Sequence, residues 1–168
     1  IDALQVQSTI DAEILGGLDV AQVMQRVLLR LEAVMPGAEV GIIEFDADGG
    51  PAAICHRRSE ASRVHGIGAA LLSSDADGWH AWSAGDPRPD WLLRLPAAAA
   101  AHVLSLKVTA RGELLAWIVI GLPTGTPIDE STRREVGELR DRIGVTLTAA
   151  RRERQLIERA ATDSLTHL

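Results

Sequence analysis

The chain has 168 residues, of which 46% are hydrophobic and 24% are charged, and its formal net charge at pH 7 is −6. This length and balance fit one globular domain with a substantial core, and the negative charge gives no support to a nucleic-acid-binding surface. The sequence has no apolar run of about 18–20 residues that could span a membrane, and no signal-peptide pattern opens it. Its single cysteine excludes an internal disulfide, so we expect a cytoplasmic location.

Two helices are predicted at the start of the chain. Residues 1–15 carry apolar side chains four positions apart, which is typical of an amphipathic helix. A second helix is predicted behind Asp19, with Asp19 as the N-cap and Gln22 as its capping-box partner. Pro36 and Gly37 end this helix.

The middle of the chain predicts a β-hairpin and then a less regular region. Two short apolar runs flank residues 46–50, a turn sequence rich in Asp and Gly. Residues 57–75 show no clear pattern, whereas residues 75–96 predict a short helix followed by an irregular segment. Trp79 and Trp82 are three positions apart, so they would share one face of that helix.

A second hairpin is predicted over residues 101–122, with its turn at Arg111 and Gly112. Residues 114–121 form a long apolar run, which is typical of a central strand covered on both faces.

The last predicted element is a long helix over residues 129–162. Its length of about 50 Å exceeds the width of a small domain, so its first half should pack on the core and its second half should project and need a partner. Apolar residues at heptad spacing predict a dimer and signalling seam. The seam positions are Val136, Leu139, Ile143, Ala150 and Ile157. Together, the elements predict an α+β fold with an antiparallel sheet flanked by helices.

The element order and three sequence blocks resemble a GAF domain. The blocks are LDVAQVMQRVLLRLEAVMPGAEVGIIEFDADG, DGWHAWSAGDP and LPAAAAAHVLSLKVTARGELLAWIVIGLP. The resemblance implies a GAF-like sheet with long N- and C-terminal helices. It divides the chain into an N-terminal helix (1–15), a GAF-like core (16–128) and a connector helix (129–162).

The end of the chain, ERQLIERAATDSLTHL, resembles the connector that enters a GGDEF (diguanylate cyclase) domain. The first motif of that family is Asp-x-Leu-Thr, which corresponds here to a turn formed by Asp163, Leu165 and Thr166. The resemblance implies that residues 163–168 begin a GGDEF domain whose remainder lies outside this chain. The alternative is an ordinary helix C-terminus or turn.

Cys55 and His56 resemble the pair that attaches a linear tetrapyrrole in GAF-type photoreceptors. They lie on the second predicted strand, however, whereas the typical attachment cysteine comes later and on a helix, so a buried or edge-strand thiol is favoured. The five histidines show no metal-ligand spacing, and no catalytic motif is present. We therefore expect no catalytic residues, no metal and no known cofactor.

A small-molecule pocket is the remaining candidate site. The irregular middle segment tends to cover the ligand cavity of GAF domains, and here it is rich in tryptophan. The alternative is that these aromatic side chains only fill the core. The candidate pocket residues are Trp79, His80, Trp82, Trp91, His102, Ser105 and Trp117.

The resemblance implies a non-catalytic sensor or regulatory domain that forms a homodimer through its terminal helices. It would control a covalently linked diguanylate cyclase domain in a bacterial protein, with neither nucleic acid nor membrane as a partner of this chain. Two alternatives remain: a dimerisation scaffold without a ligand and, less favoured, a chromophore or haem sensor.

Overall fold

The structure is a computed structural model that describes residues 19–45, 53–64, 75–90, 92–123 and 128–166, with side chains as far as residue 163. Three predictions lie outside the described residues: the helix over residues 1–15, the turn over residues 46–50, and the position of Trp91. Within the part that is described, no helix is long and apolar enough to cross a membrane.

Helix α1 spans Val20–Val34, as the sequence predicts. The Asp19 carboxylate accepts a hydrogen bond from the Gln22 backbone N–H at 3.2 Å, which confirms the N-cap. After the helix, Gly37 has a φ of 87°, a left-handed conformation that favours glycine and turns the chain towards the sheet.

The sheet has six antiparallel strands, which are β1 (Glu39–Phe45), β2 (Ala53–Arg57), β3 (Glu60–Val64), β4 (Trp79–Trp82), β5 (His102–Ala110) and β6 (Glu113–Leu122). Their order across the sheet is β3-β2-β1-β6-β5-β4. The predicted α+β class and both predicted hairpins are confirmed, and β6 lies at the centre with neighbours on both sides. Strand β3 was not predicted, because it is exposed, polar and paired only with β2.

The predicted short helix around Trp79 and Trp82 is wrong, since this segment is the edge strand β4. Its backbone pairs with β5, and the Asp75 carboxylate accepts hydrogen bonds from the backbone N–H groups of Asp77 and Trp79, both at 2.9 Å. These bonds form an Asx-type turn that leads into the strand. On a strand, residues three apart point to opposite faces, so the two tryptophans do not share a face. The predicted irregular segment then follows, and it includes two 3₁₀ helices, Leu92–Arg94 and Pro96–Ala99.

The sheet separates two apolar clusters. On the face that carries the helices, here called the helix face, α1 and the C-terminal helix pack against residues such as Ile42, Leu106 and Ile118. On the opposite face, here called the far face, the two 3₁₀ helices pack on the sheet. A Cβ at Gly121 would clash with the carbonyl oxygen of Ala97, so only glycine permits this close approach.

Helix α2 spans Glu130–Thr166, four residues beyond the predicted end. A hydrogen bond from the Thr132 backbone N–H at 2.7 Å stabilises the ionised Asp129 carboxylate at its start and lowers the pKa of that group. The first half of α2 packs on the core as predicted, whereas residues 152–163 are exposed all round and extend for about 18 Å. Asp163, Leu165 and Thr166 continue this helix instead of forming the predicted turn.

Candidate functional site

The far face of the sheet gathers four of the predicted pocket residues. His80 and Trp82 lie on β4, Ser105 on β5 and Trp117 on β6. His80 pairs with Ser105, and Ser105 pairs in turn with Val119 on β6. Because alternate residues of a strand point the same way, these side chains share one face across three adjacent strands.

Two other predicted pocket residues lie on the helix face. Trp79 pairs with Leu106 and belongs to the helix-face cluster, where the Arg133 guanidinium carbon lies 5.2 Å from the centroid of the Trp79 ring. His102, Leu104 and Leu106 are alternate residues of β5, so their side chains lie on the same side of the sheet. His102 therefore also faces the helices. The predicted pocket is therefore corrected: Trp79 and His102 do not contribute to the far face.

The far face is mostly apolar around its tryptophans. Trp117 is fully buried and Trp82 is 6% exposed. The half-buried His80 ring makes an edge contact with Trp82, with the ring centroids 4.4 Å apart. The apolar side chains that share this cluster include Ile43, Phe45, Leu92, Leu95, Val103 and Val119.

Ser105 provides a polar group within this apolar face. Its side chain is fully buried, and its Oγ atom has no hydrogen-bond partner within the described part of the chain. A buried hydroxyl without a partner is energetically unfavourable, so a molecule that donated to or accepted from it would gain a hydrogen bond without displacing a protein partner. Ser105 is therefore a buried polar group, without a partner among the described residues, within a closely packed apolar face.

Cys55 also lies on the far face, where it is 2% exposed. Burial raises the pKa of its thiol, while the positive charges of Arg57 and Arg94 act weakly in the opposite direction. The thiol is thus neutral at physiological pH and is a poor nucleophile. This placement confirms the predicted buried thiol.

The sequence pattern did not predict that the two 3₁₀ helices pack over the far face of the sheet and cover it. Leu95 and Ala97 lie directly over the sheet, above Gly41 and Gly121. The available signal was a glycine within each of two apolar strands, which often marks the close approach of another backbone. Among the residues that the structure describes, no group of three His, Cys, Asp or Glu side chains could hold a metal ion.

The predicted dimer seam divides into two parts along α2. Val136, Leu139 and Ile143 are buried in the domain's own core, so a second chain cannot reach them. Ala150 is half-buried, whereas Ile157 is 63% exposed on the projecting half. Leu156, which the seam did not include, is 65% exposed beside it.

No family model matches the chain, and no curated protein matches it. Solved structures do match over nearly the whole chain. The GAF domain of a phosphoenolpyruvate-protein phosphotransferase from Coxiella burnetii is 17% identical, with a TM-score of 0.62 over 89% of this chain and 95% of that one. The phycocyanobilin-bound GAF domain of a cyanobacterial phytochrome is 12% identical, with a TM-score of 0.61 over 91% and 97% of the two chains.

The GAF domain of a putative sensor histidine kinase from Pseudomonas syringae pv. tomato is 15% identical, with a TM-score of 0.59 over 93% of this chain and 92% of that one. At this level of identity, the likeness shows the fold. The chain therefore has the GAF fold that its sequence resembles.

Proposed function

We propose that this chain is the non-catalytic regulatory domain of a bacterial signalling protein, and that it forms a homodimer through α2 and controls a diguanylate cyclase domain that follows it. The observation that carries the proposal is the projecting half of α2, which leaves Leu156 and Ile157 65% and 63% exposed. The solved structures that resemble this chain include the GAF domain of a putative sensor histidine kinase and a segment of a methyl-accepting chemotaxis protein, which supports a signalling role.

The dimer proposal rests on what the exposed side chains would gain. Leu156 and Ile157, with Ala160 and Ala161 one turn later, form one apolar arc on the exposed part of the helix. Burying a Leu or Ile side chain contributes about 1.5–3 kcal/mol, so a second copy of the same arc is a suitable cover. The spacing of seven between Ala150 and Ile157 suits a coiled-coil pair.

The cyclase proposal rests on the ending of α2 together with the sequence resemblance. A continuous helix joins Glu130, beside the sheet, to the Asp-x-Leu-Thr sequence at residues 163–166. Such a helix can transmit a rotation or a tilt from the domain to whatever follows it, provided that the domain has two states with different helix contacts.

For the ligand, we propose a small, flat and mainly apolar molecule held on the far face by His80, Trp82, Ser105 and Trp117. The buried hydroxyl of Ser105, which has no hydrogen-bond partner within the described ranges, supports this proposal. The alternative of a scaffold without a ligand is favoured by the close packing of the 3₁₀ helix on Gly121. A bilin sensor has less support, because the only thiol of the chain is buried and neutral.

Sedimentation equilibrium of the purified chain tests the dimer. We expect a dimer, and we expect the double variant Leu156→Glu/Ile157→Glu to be a monomer with an unchanged circular dichroism spectrum. The control is Leu93→Glu, which places one such charge on the 3₁₀ helix Leu92–Arg94, at a position that is 53% exposed. A wild-type chain that stays monomeric at high concentration would overturn the dimer proposal. The control of cyclase activity can be tested by fusing the wild-type chain and the Leu156→Glu/Ile157→Glu variant to an active diguanylate cyclase domain. The cyclase activities of the two fusions are then compared.

A further inference from the structure

Two arginines of α2 contact the segment that contains β4. The Arg133 guanidinium carbon lies 5.2 Å from the Trp79 ring centroid, and Arg140 Nη1 donates a hydrogen bond to the Asp77 carbonyl oxygen at 3.0 Å. The two arginines are seven positions apart, which places them on the same side of the helix, about 10 Å apart along its axis. They therefore connect α2 to both the turn and the start of the strand.

The turn and the strand form one unit. The Asp75 carboxylate accepts from the N–H groups of Asp77 and Trp79, and the Asp75 N–H donates to the Trp79 carbonyl oxygen at 2.9 Å. The Lys107 N–H donates to the Gly78 carbonyl oxygen at 2.9 Å, which extends the pairing with β5 into the turn. A displacement of β4 would therefore displace the turn that Arg140 holds.

The opposite side of β4 belongs to the far face. His80 and Trp82 contact each other there, and His80 lies opposite Ser105 on β5. Strand β4 has four residues and pairs only with β5 at the edge of the sheet, so it is held by fewer ladder hydrogen bonds than a central strand. An open groove of about 790 Å³, lined in part by Arg140, Gly144 and Asp77, leaves room between the turn and α2.

We propose that Arg133 and Arg140 are positioning residues that couple the far face to α2 through β4. A molecule that displaces His80 or Trp82 moves β4, and the two arginines transfer this movement to the anchored half of the helix. This inference rests on the proposed function, because it assigns the route by which an occupied far face would alter the output helix.

Hydrogen exchange of the full chain, measured residue by residue, tests the coupling without a known ligand. In the double variant Arg133→Ala/Arg140→Ala, we expect the amides of residues 79–82 to exchange about fivefold faster or more, since a cation–π contact and a charge-assisted hydrogen bond are lost. Arg134→Ala, an exposed neighbour on the same helix, is the matched control and should leave these rates unchanged. Arg133→Lys/Arg140→Lys retains both charges and should restore part of the protection.

The variant His80→Ala then acts as a perturbation of the far face. We expect it to change the exchange rates of residues 130–140 in the wild-type background by about twofold or more, and to leave them unchanged in the Arg133→Ala/Arg140→Ala background. An equal response in both backgrounds, or no response in either, would overturn the coupling. Sedimentation of the same variants separates this result from the proposed function, because the dimer should persist in all of them.

Discussion

Cys55 and His56 are adjacent on β2 and face opposite sides of the sheet. The thiol lies in the far-face cluster, whereas His56 Nε2 lies 2.9 Å from Glu44 Oε1 on the helix face. The two residues resemble a chromophore attachment pair in sequence, but the alternation of side chains along the strand places them on opposite faces of the sheet. The two side chains have different roles, and each role can be tested separately.

The Cys55 thiol should make stability depend on pH in the alkaline range. Burial raises the pKa of the folded thiol above its usual value of 9.0, so the folded state retains the proton more strongly than the unfolded state does. The stabilisation is complete below about pH 9 and is lost as the pH rises towards the folded pKa. Urea unfolding between about pH 8 and 10.5 should show a steeper decline for the wild type than for Cys55→Ala. Parallel declines would contradict this prediction.

The contact between His56 and Glu44 should stabilise the fold more than an exposed ion pair does. Their side chains are 2% and 17% exposed, and removing the carboxylate leaves a buried imidazole nitrogen without a partner. We expect Glu44→Ala to lower the free energy of unfolding by about 1–3 kcal/mol. The control is Glu60→Ala in the exposed pair with Arg57, which should cost less than about 0.5 kcal/mol. Equal losses in urea titrations would refute the difference.

Gly121 should tolerate no side chain. In Gly121→Ala, the new methyl group would meet the Ala97 carbonyl oxygen and force the 3₁₀ helix away from the sheet, at a cost of about 2–3 kcal/mol. Gly137, in α2, is the matched control, because the nearest atom to a Cβ there is the flexible Arg140 Nη2 at 3.8 Å. Gly137→Ala should stabilise the protein by about 0.5–1 kcal/mol through helix propensity. Thermal unfolding of both variants measures the contrast, and a stabilised Gly121→Ala protein would show that the cover can move without cost.

The variant Ser105→Ala tests two properties of the far face: its contribution to the stability of the fold and its proposed role in binding a ligand. Because the Ser105 hydroxyl is buried and has no partner among the described residues, its removal should raise the free energy of unfolding by about 1 kcal/mol in the absence of a ligand. The fully buried Thr146 provides the comparison variant Thr146→Val, because its Oγ1 atom likewise has no partner in the part of the chain that the structure describes. Thermal-shift screens with small aromatic compounds should then show a smaller rise in melting temperature for Ser105→Ala than for the wild type. A loss of stability on Ser105→Ala would indicate that the hydroxyl is satisfied in solution.

The sequence pattern predicted the elements in which a periodic or apolar pattern continues over many residues. The 3.6-residue period marks α1 and α2, and the apolar run of residues 114–121 marks the central strand. Strand β4 could not be recognised in this way, because two tryptophans three apart also suit a helix. This segment forms a strand because Trp79 pairs with Leu106, a residue that is distant in sequence.

The candidate site was predicted in part for a related reason. Ser105 and Trp117 could be selected because they lie on strands that the sequence indicates clearly. His102 is an odd number of residues from Ser105 on the same strand, so alternation alone was enough to exclude it. The 3₁₀ cover was beyond local pattern, because its position depends on the absence of side chains at Gly41 and Gly121.

Helix α2 is anchored inside the domain at its first half and projects from it at its second half, so a small tilt at the anchored half is amplified at the projecting end. From Val145 to Thr166 it contains neither glycine nor proline, so it has no sequence-encoded hinge. A tilt of about 10° at the anchored half would move Asp163 sideways by about 3 Å over the projecting 18 Å or so. In a pair of such helices the two displacements would add, so a change smaller than a side chain at the sheet becomes a change of several ångströms between their tips.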